Sequence, residues 1–431
     1  MAFINSYKGV TTKSELDIFA TPPTQTSIES GSTLCYRPIS ALSETAPIEF
    51  LVTASGDEYI DLAHTTLHII AKVKPVTPLT GGAEAKLAPV NNWLHSLFSQ
   101  VDVYLNQKCI SPPSNNYAYR AYIENLLNYG DLAKKSHLTS SLWYADDAGK
   151  FNNNVNSGWI KRKSFIVGEA EVELFSNLHC DIFNVNKFML NGVDLGLKLI
   201  RSKNEFNLMG ITPGRVEIVE ANLFVRKVKI NPSILLAHAR ALSVTPAKYP
   251  INRVEIKTLT IGSGIQSKSI DNIFLGQIPK RCIIGMVDSQ GFNGTQTLNP
   301  FNFEHFDYNY LALYIDSTQV PAKPLTPDFT KKQYIRSYYT LFEGTGIHFS
   351  DTGNGISYED YPNGYCLAVF DLTSDLSCNE SHWNIIKSGT LRAEIRFAQA
   401  LTKAVTFIIF AEFDNIIEVD KNRNINIDYS S

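Results

Sequence analysis

Paired cysteines are missing from this chain. Its six cysteines, Cys35, Cys109, Cys180, Cys282, Cys366 and Cys378, are widely scattered, and no two form a C-x-x-C pair. Structural zinc and dithiol redox chemistry need close pairs of ligands, so neither is expected; free thiols in a reducing compartment are. Long apolar runs are missing as well, and no window approaches the ~20 residues that cross a bilayer as a helix. The opening Met1-Ala2-Phe3-Ile4-Asn5-Ser6-Tyr7-Lys8 lacks the charged-then-apolar pattern of a secretory leader. The sequons Asn293-Gly294-Thr295 and Asn379-Glu380-Ser381 are therefore read as chance matches. Charge of one sign is also not in excess. The formal net charge is -3, whereas a protein that works by gripping phosphates is usually clearly basic.

Catalytic signatures are equally scarce. The chain has no G-x-x-x-x-G-K-[ST] loop to cradle a phosphate and no G-x-S-x-G nucleophile elbow. None of the nine histidines forms the H-x-H pair of metal-dependent barrel oxygenases. His64 and His68 share one face of an extended segment, but they lack the further ligands such a site needs and are read as surface or core residues. His179, Cys180 and Asp181 are consecutive. On a strand they would point to alternate faces and could not pair as nucleophile and base, so packing within a strand is expected. Lys161-Arg162-Lys163 reads as a solvated loop cluster, and Asp146-Asp147 as loop carboxylates rather than a cation site. No catalytic, cofactor-binding or metal-ligating residue is assigned, no cofactor is expected, and the chain is not expected to be an enzyme.

What is abundant is aromatic residues and turn formers. The 431 residues include 24 Phe, 20 Tyr and 4 Trp, with 44% hydrophobic and 19% charged residues. This is a globular composition, long enough for two domains of about 200 residues. Asn, Gly and Pro punctuate short alternating apolar runs, which predicts many strands joined by turns. Strands are predicted at Ile48–Val52, Thr66–Val73, Val101–Leu105, Ala170–Leu174, Lys187–Leu190, Val193–Ile200 and Val216–Val228. A helix is predicted over Tyr119–Leu127, and a loop-rich stretch over Trp143–Lys163. The aromatics on these strands are read as core rather than as a stacking surface for sugars or bases.

The second half repeats this grammar. Val101–Leu105 matches Leu311–Ile315 at an offset of 210, and Arg120–Ile123 matches Arg336–Tyr339 at 216. Val193–Leu199 matches Leu391–Phe397 at 198, and Val216–Phe224 matches Val405–Phe413 at 189. A helix stands in the same place between strands in both halves. Asn231-Pro232 opens a short helical connector through Arg240, with proline suited to the first turn, and the second copy begins with a strand at Arg253–Ile261. The expected division is an N-terminal arm (1–40), a first sandwich (41–230), a connector (231–250), a second sandwich (251–415) and a C-terminal arm (416–431), which could add a strand to another sheet.

Leu178–Phe183, Lys187–Leu195, Lys198–Ser202 and Phe206–Met209 together resemble the major capsid proteins of Maverick/Polinton elements and their adintovirus relatives. Tyr59-Ile60-Asp61-Leu62 with Thr66-Leu67, and Pro22–Ile28, are similar to the same family. The resemblance covers most of the first half. It implies an all-β chain of two tandem eight-stranded antiparallel jelly rolls with short helices in the loops. It further implies homotrimers of pseudo-hexagonal outline that tile an icosahedral shell. The partners would be further copies of the chain, a minor or penton capsid protein and, only indirectly, packaged DNA. The location would be the virion, after synthesis in the host cytoplasm and assembly there or in the nucleus. Three loops, Trp143–Lys163, Gly285–Pro300 and Glu343–Asn363, are expected to project outward. The competing expectation is a tandem β-sandwich that binds or hydrolyses glycans, which would carry aromatics and carboxylates in one cleft. A single-roll vertex protein is disfavoured by the two-copy length.

Overall fold

A computed structural model describes residues 14–19, 21–77, 85–112 and 114–427. The first half contributes eight principal strands: β1 (Ile28–Tyr36), β2 (Ile48–Val52), β3 (Glu58–Pro75), β4 (Phe98–Leu105), β5 (Lys108–Cys109), β6 (Val172–Asn177), β7 (Leu195–Arg201) and β8 (Gly214–Ile230). They form two antiparallel sheets, ordered β1-β8-β3-β6 and β2-β7-β4-β5. The second half contributes β9 (Ala247–Ile261), β10 (Ser267–Gln277), β11 (Arg281–Asp288), β12 (Tyr308–Ile315), β13 (Thr318–Leu325), β14 (Leu367–Asp371), β15 (Ser388–Phe397) and β16 (Val405–Val419). Their sheets are ordered β9-β16-β11-β14 and β10-β15-β12-β13, the first pattern with eight added to every number. Each half is a jelly roll, in which two four-stranded sheets stack and sequence neighbours fall in opposite layers, except for one hairpin within a sheet, β4-β5 in the first roll and β12-β13 in the second. The chain is a double jelly roll.

Side-chain alternation explains the layers. Along β7 the leucines at 195, 197 and 199 are buried while Gly196, Lys198 and Ile200 are only partly so, because successive residues of a strand face opposite ways. The pairing also corrects the repeat. Val101 faces Leu199 and Leu311 faces Ile395, so β7 and β15 correspond at an offset of 196 rather than 198. A slip of two residues keeps the same face inward, which is why the hydrophobic pattern did not reveal it.

The helices repeat too. α1 (Tyr117–Asn128) lies between β5 and β6, α2 (Ser157–Phe165) follows it before β6, and α4 (Ile335–Glu343) lies between β13 and β14. Between the rolls, α3 (Pro232–Leu242) is the connector. Asn231 caps it by accepting the Ser233 N–H, and proline occupies its first turn.

Several expected boundaries move. Residues 28–36, assigned to an arm, are β1, an edge strand paired with β8. β9 begins at Ala247, inside the expected connector, and β16 runs to Val419. The C-terminal segment does add a strand, β17 (Ile425–Ile427), but to its own β16; residues 428–431 lie outside the described residues. Lys187–Leu190 is not a regular strand and contributes one bridge, Met189 to Ile60. Among the described residues no helix is long and apolar enough to cross a membrane. All six cysteines are free thiols.

Candidate functional site: the seam between the rolls and the open surfaces

Two of the groups that looked chemically suggestive, His179-Cys180-Asp181 and Asp146-Asp147 with Lys161-Arg162-Lys163, converge on the seam between the two rolls. α1 buries Tyr119 and Tyr122 in the larger core cluster, which also contains the second roll's Phe301 and Phe303. Tyr122 stacks on Phe301 at 4.2 Å between ring centres and 1° between planes, while Tyr119 meets Phe301 edge to face. Such pairs add a modest directional preference to large apolar burial. The aromatics expected in the core are therefore there, and some join the rolls.

A polar network crosses the same seam. Arg120 is ion-paired to Asp181 at 2.7 Å and donates from Nε to Glu124 at 2.8 Å. The Asp181 carboxylate also accepts the backbone N–H of Val254 in β9 at 3.1 Å. His179 Nδ1 lies 2.6 Å from the second Glu124 oxygen, and the His179 ring packs edge to face on His95 at 4.6 Å. Burial alone would raise the Glu124 carboxyl, but Arg120 and His179 outweigh it and hold the group at about 2. His95 is fully enclosed; burial, reinforced by His179, lowers its pKa well below the ordinary 6.5.

This corrects the strand expected at His179-Cys180-Asp181. Asp181 opens a 3-10 turn (Asp181–Asn184), and Cys180 precedes it. The Cys180 thiol is buried and its pKa is raised, chiefly by desolvation, which suits an inert structural thiol rather than a nucleophile. Sequence reasoning missed the role of these residues because their partners lie 55 and more positions away.

Asp146 anchors a second network. Its carboxylate accepts Arg162 Nη2 at 2.6 Å, Asn156 at 2.7 Å and the second roll's Asn299 at 3.0 Å. The Asp146 and Arg162 side chains are both 0% exposed. Arg162 also donates to the carbonyls of Pro89 and Tyr144. The expected solvated loop around Lys161-Arg162-Lys163 is thus corrected: it lies on α2, and its central residue is the polar core of the seam. Asp147 holds the start of α2 by accepting the Ser157 N–H at 2.8 Å. The pair Asp146-Asp147 organises protein groups.

The three loops expected to project outward fold onto one another. Asn299 N–H donates to Asn152 at 2.6 Å, Gly149 N–H donates to the Asn363 carbonyl at 2.8 Å, and Tyr365 donates to the Asp146 carbonyl at 2.5 Å. Trp143, Phe151 and Trp159 are buried beneath this cap. Gly364 holds φ at +114°, a left-handed conformation, and a Cβ there would strike the Phe151 ring.

His64 and His68 sit on outward positions of β3 and face carboxylates, His64 with Asp61 at 2.8 Å and His68 with Glu173 at 2.9 Å. No cluster of three or more potential metal ligands occurs among the described residues. A polar cleft of about 370 Å³ opens over the first network, between Glu124, His179, Lys280, Arg281 and Glu412. Two of its carboxylates are already engaged, Glu124 by Arg120 and Glu412 by Arg281 at 3.3 Å.

The outer surface has two open features, an edge strand and a groove. β1 is exposed along nearly its whole length, whereas its counterpart β9 alternates between exposed and buried positions. Beneath the connector α3 lies an apolar groove of about 550 Å³.

Comparison with known proteins places this architecture. No family model matches the chain. An uncharacterized protein of Caenorhabditis elegans is 23% identical over 427 residues, covering 94% of this chain and 99% of that protein. Among solved structures, the chain is similar to the Sputnik virophage structure determined by cryo-EM, with a TM-score of 0.65, 12% identity, and 99% of this chain and 94% of that one covered. It is similar to the mavirus major capsid protein at a TM-score of 0.52 and 12% identity, covering 99% and 95% of the two chains. The Faustovirus major capsid protein also matches at 0.52 and 8% identity, covering 93% and 92%. The shared feature is the double jelly-roll fold over the full length of both rolls.

Proposed function

We propose that this chain is a major capsid protein that builds a shell by self-association and performs no catalysis. The supporting observation is the doubled eight-strand order, aligned with a Sputnik virophage chain and the mavirus and Faustovirus major capsid proteins over nearly their whole length. On this reading three chains form a trimer, six similar rolls give it a pseudo-hexagonal outline, and trimers tile an icosahedral shell. The natural functional division is two rolls joined by the connector helix α3, with short terminal segments beyond them. The first-half motifs resemble Maverick/Polinton capsid proteins, and the nematode relative fits a genome-borne element of that kind. The protein would reside in the virion, beside a minor or penton protein.

The seam gives this reading a physical basis. A pseudo-hexameric trimer requires a fixed angle between the two rolls. Buried charge networks and stacked aromatics across one interface hold such an angle better than a flexible linker does. The edge strand β1, paired on one side only, offers main-chain groups to a neighbouring copy. A glycan hydrolase is less well supported. Such an enzyme needs one carboxyl with a raised pKa free to act as acid; Glu124 in the inter-roll cleft is held at about 2, and Asp181, which burial raises, is occupied by Arg120 and the Val254 N–H. Negative-stain imaging of purified protein at rising concentration and salt tests the proposal. Pseudo-hexagonal particles or closed shells are the expected result; a uniform field of isolated monomers under all conditions would count against it.

A further inference from the structure

The groove under α3 is lined by Ile28, Phe188, Ile230, Ile234, Leu242 and Tyr249, among others. Its volume falls in the range of about 300–1,000 Å³ typical of sites that enclose a ligand. The polar groups within it are largely satisfied: Tyr59 and His238 hydrogen-bond at 2.9 Å, and Tyr249 bonds the backbone at Leu190 and Phe188. Among the described residues, the groove has no apolar cover.

The same chain carries a segment with the opposite deficit. Ser14–Phe19 begins with a 3-10 turn, and Leu16, Ile18 and Phe19 are 69%, 74% and 94% exposed. Isolated exposed apolar residues are ordinary, but three within four positions on a short segment are not stabilised by water. Asp17 stands among them and Glu15 directly before them, while Lys187 and Lys248 line the groove. The segment and the groove thus complement each other in both hydrophobicity and charge.

We propose that the groove beneath α3 receives the Ser14–Phe19 segment of a second copy of this chain, so that the N-terminal segments link neighbouring subunits. The proposal rests on the self-assembly reading above. Within one chain the segment leaves its own groove uncovered. The strand that follows it, β1, starts at Ile28 on the groove wall, and nine residues of extended chain reach about 30 Å from there, enough to pass to an adjacent subunit. The docking mode is a short segment anchored by its apolar side chains, with the acids Glu15 and Asp17 facing lysines.

Cross-linking between distinguishable copies tests this. In a background with exposed Cys35 and Cys109 changed to serine, one tagged chain carries Phe19→Cys and a second, differently tagged chain carries Ala241→Cys on the groove wall. The expected result is a disulfide between the two tags under mild oxidation, reduced about tenfold when Leu16→Asp is added. If a chain carrying both cysteines bridges only within itself, or if assembled protein forms no bridge between tags, the docking is wrong while the capsid reading stands. If the unmodified protein does not self-associate at any concentration, the capsid reading falls with it.

Discussion

One oxygen of the Asp181 carboxylate faces both the Arg120 guanidinium, at 2.7 Å, and the backbone N–H of Val254, at 3.1 Å. Arg120 belongs to the first roll and Val254 to the second, so a single carboxylate ties the halves together. Removing one partner of a buried ion pair leaves an uncompensated charge, which typically costs about 3–5 kcal/mol. Asp181→Ala is expected to destabilise the chain toward the low end of that range, because Glu124 still holds Arg120. Urea denaturation monitored by tryptophan fluorescence measures the loss. A change within 0.5 kcal/mol would show that this contact does not lock the rolls.

Asp146 and Arg162 give a sharper test because both side chains are fully enclosed. Asp146→Ala and Arg162→Ala are each expected to cost about 3–5 kcal/mol. The double variant should cost clearly less than the sum, with a coupling of about 0.5–3 kcal/mol. Additive losses in the same denaturation experiment would mean that the two residues act independently.

Acid should weaken the seam in two stages. His95 has its pKa lowered on folding, so the unfolded chain takes up a proton below about pH 6.5 that the folded chain refuses. Stability therefore falls as pH drops below that value. Glu124 falls from an ordinary 4.5 to about 2 on folding, so its contribution is complete above pH 4.5 and is lost between there and about 2. Each proton changes stability by about 1.4 kcal/mol per pH unit. Denaturation midpoints collected at successive pH values should show the first decline in the parent protein and a flatter curve between pH 6.5 and 4.5 in His95→Gln. An identical pH profile in both would remove His95 from the account.

Gly364 supports the cap of loops over the seam. Its φ of +114° and the adjacent Phe151 ring leave no room for a side chain. Gly364→Ala is expected to cost about 1–3 kcal/mol and to increase proteolytic cleavage around Phe151. Unchanged thermal stability and unchanged cleavage would show that the cap tolerates rearrangement.

The sequence carried the layers of this fold further than its joints. The alternation along Val101–Leu105 and Leu311–Ile315 was legible because one face of each strand is buried and the other is not, and α1 and α4 stood out between strands in both halves. The pairing partner slipped by two residues at β15, since a two-residue shift preserves the buried face. β1 was hidden for the opposite reason: it is exposed on both faces, so no alternation marks it as a strand. The seam was illegible. Arg162 lies in a basic triplet that reads as solvent-facing, and only the fold brings Asp146 and the distant Asn299 around it. His179-Cys180-Asp181 suggested chemistry, yet their long-range partners make them structural.

The central claim is that this double jelly roll is a self-assembling subunit. Light scattering coupled to size-exclusion chromatography tests it most directly, by weighing the protein in solution. A self-assembling subunit gives a discrete species of three 48.1 kDa chains, or larger shells built from it. A strictly monomeric 48.1 kDa species at high concentration would contradict it.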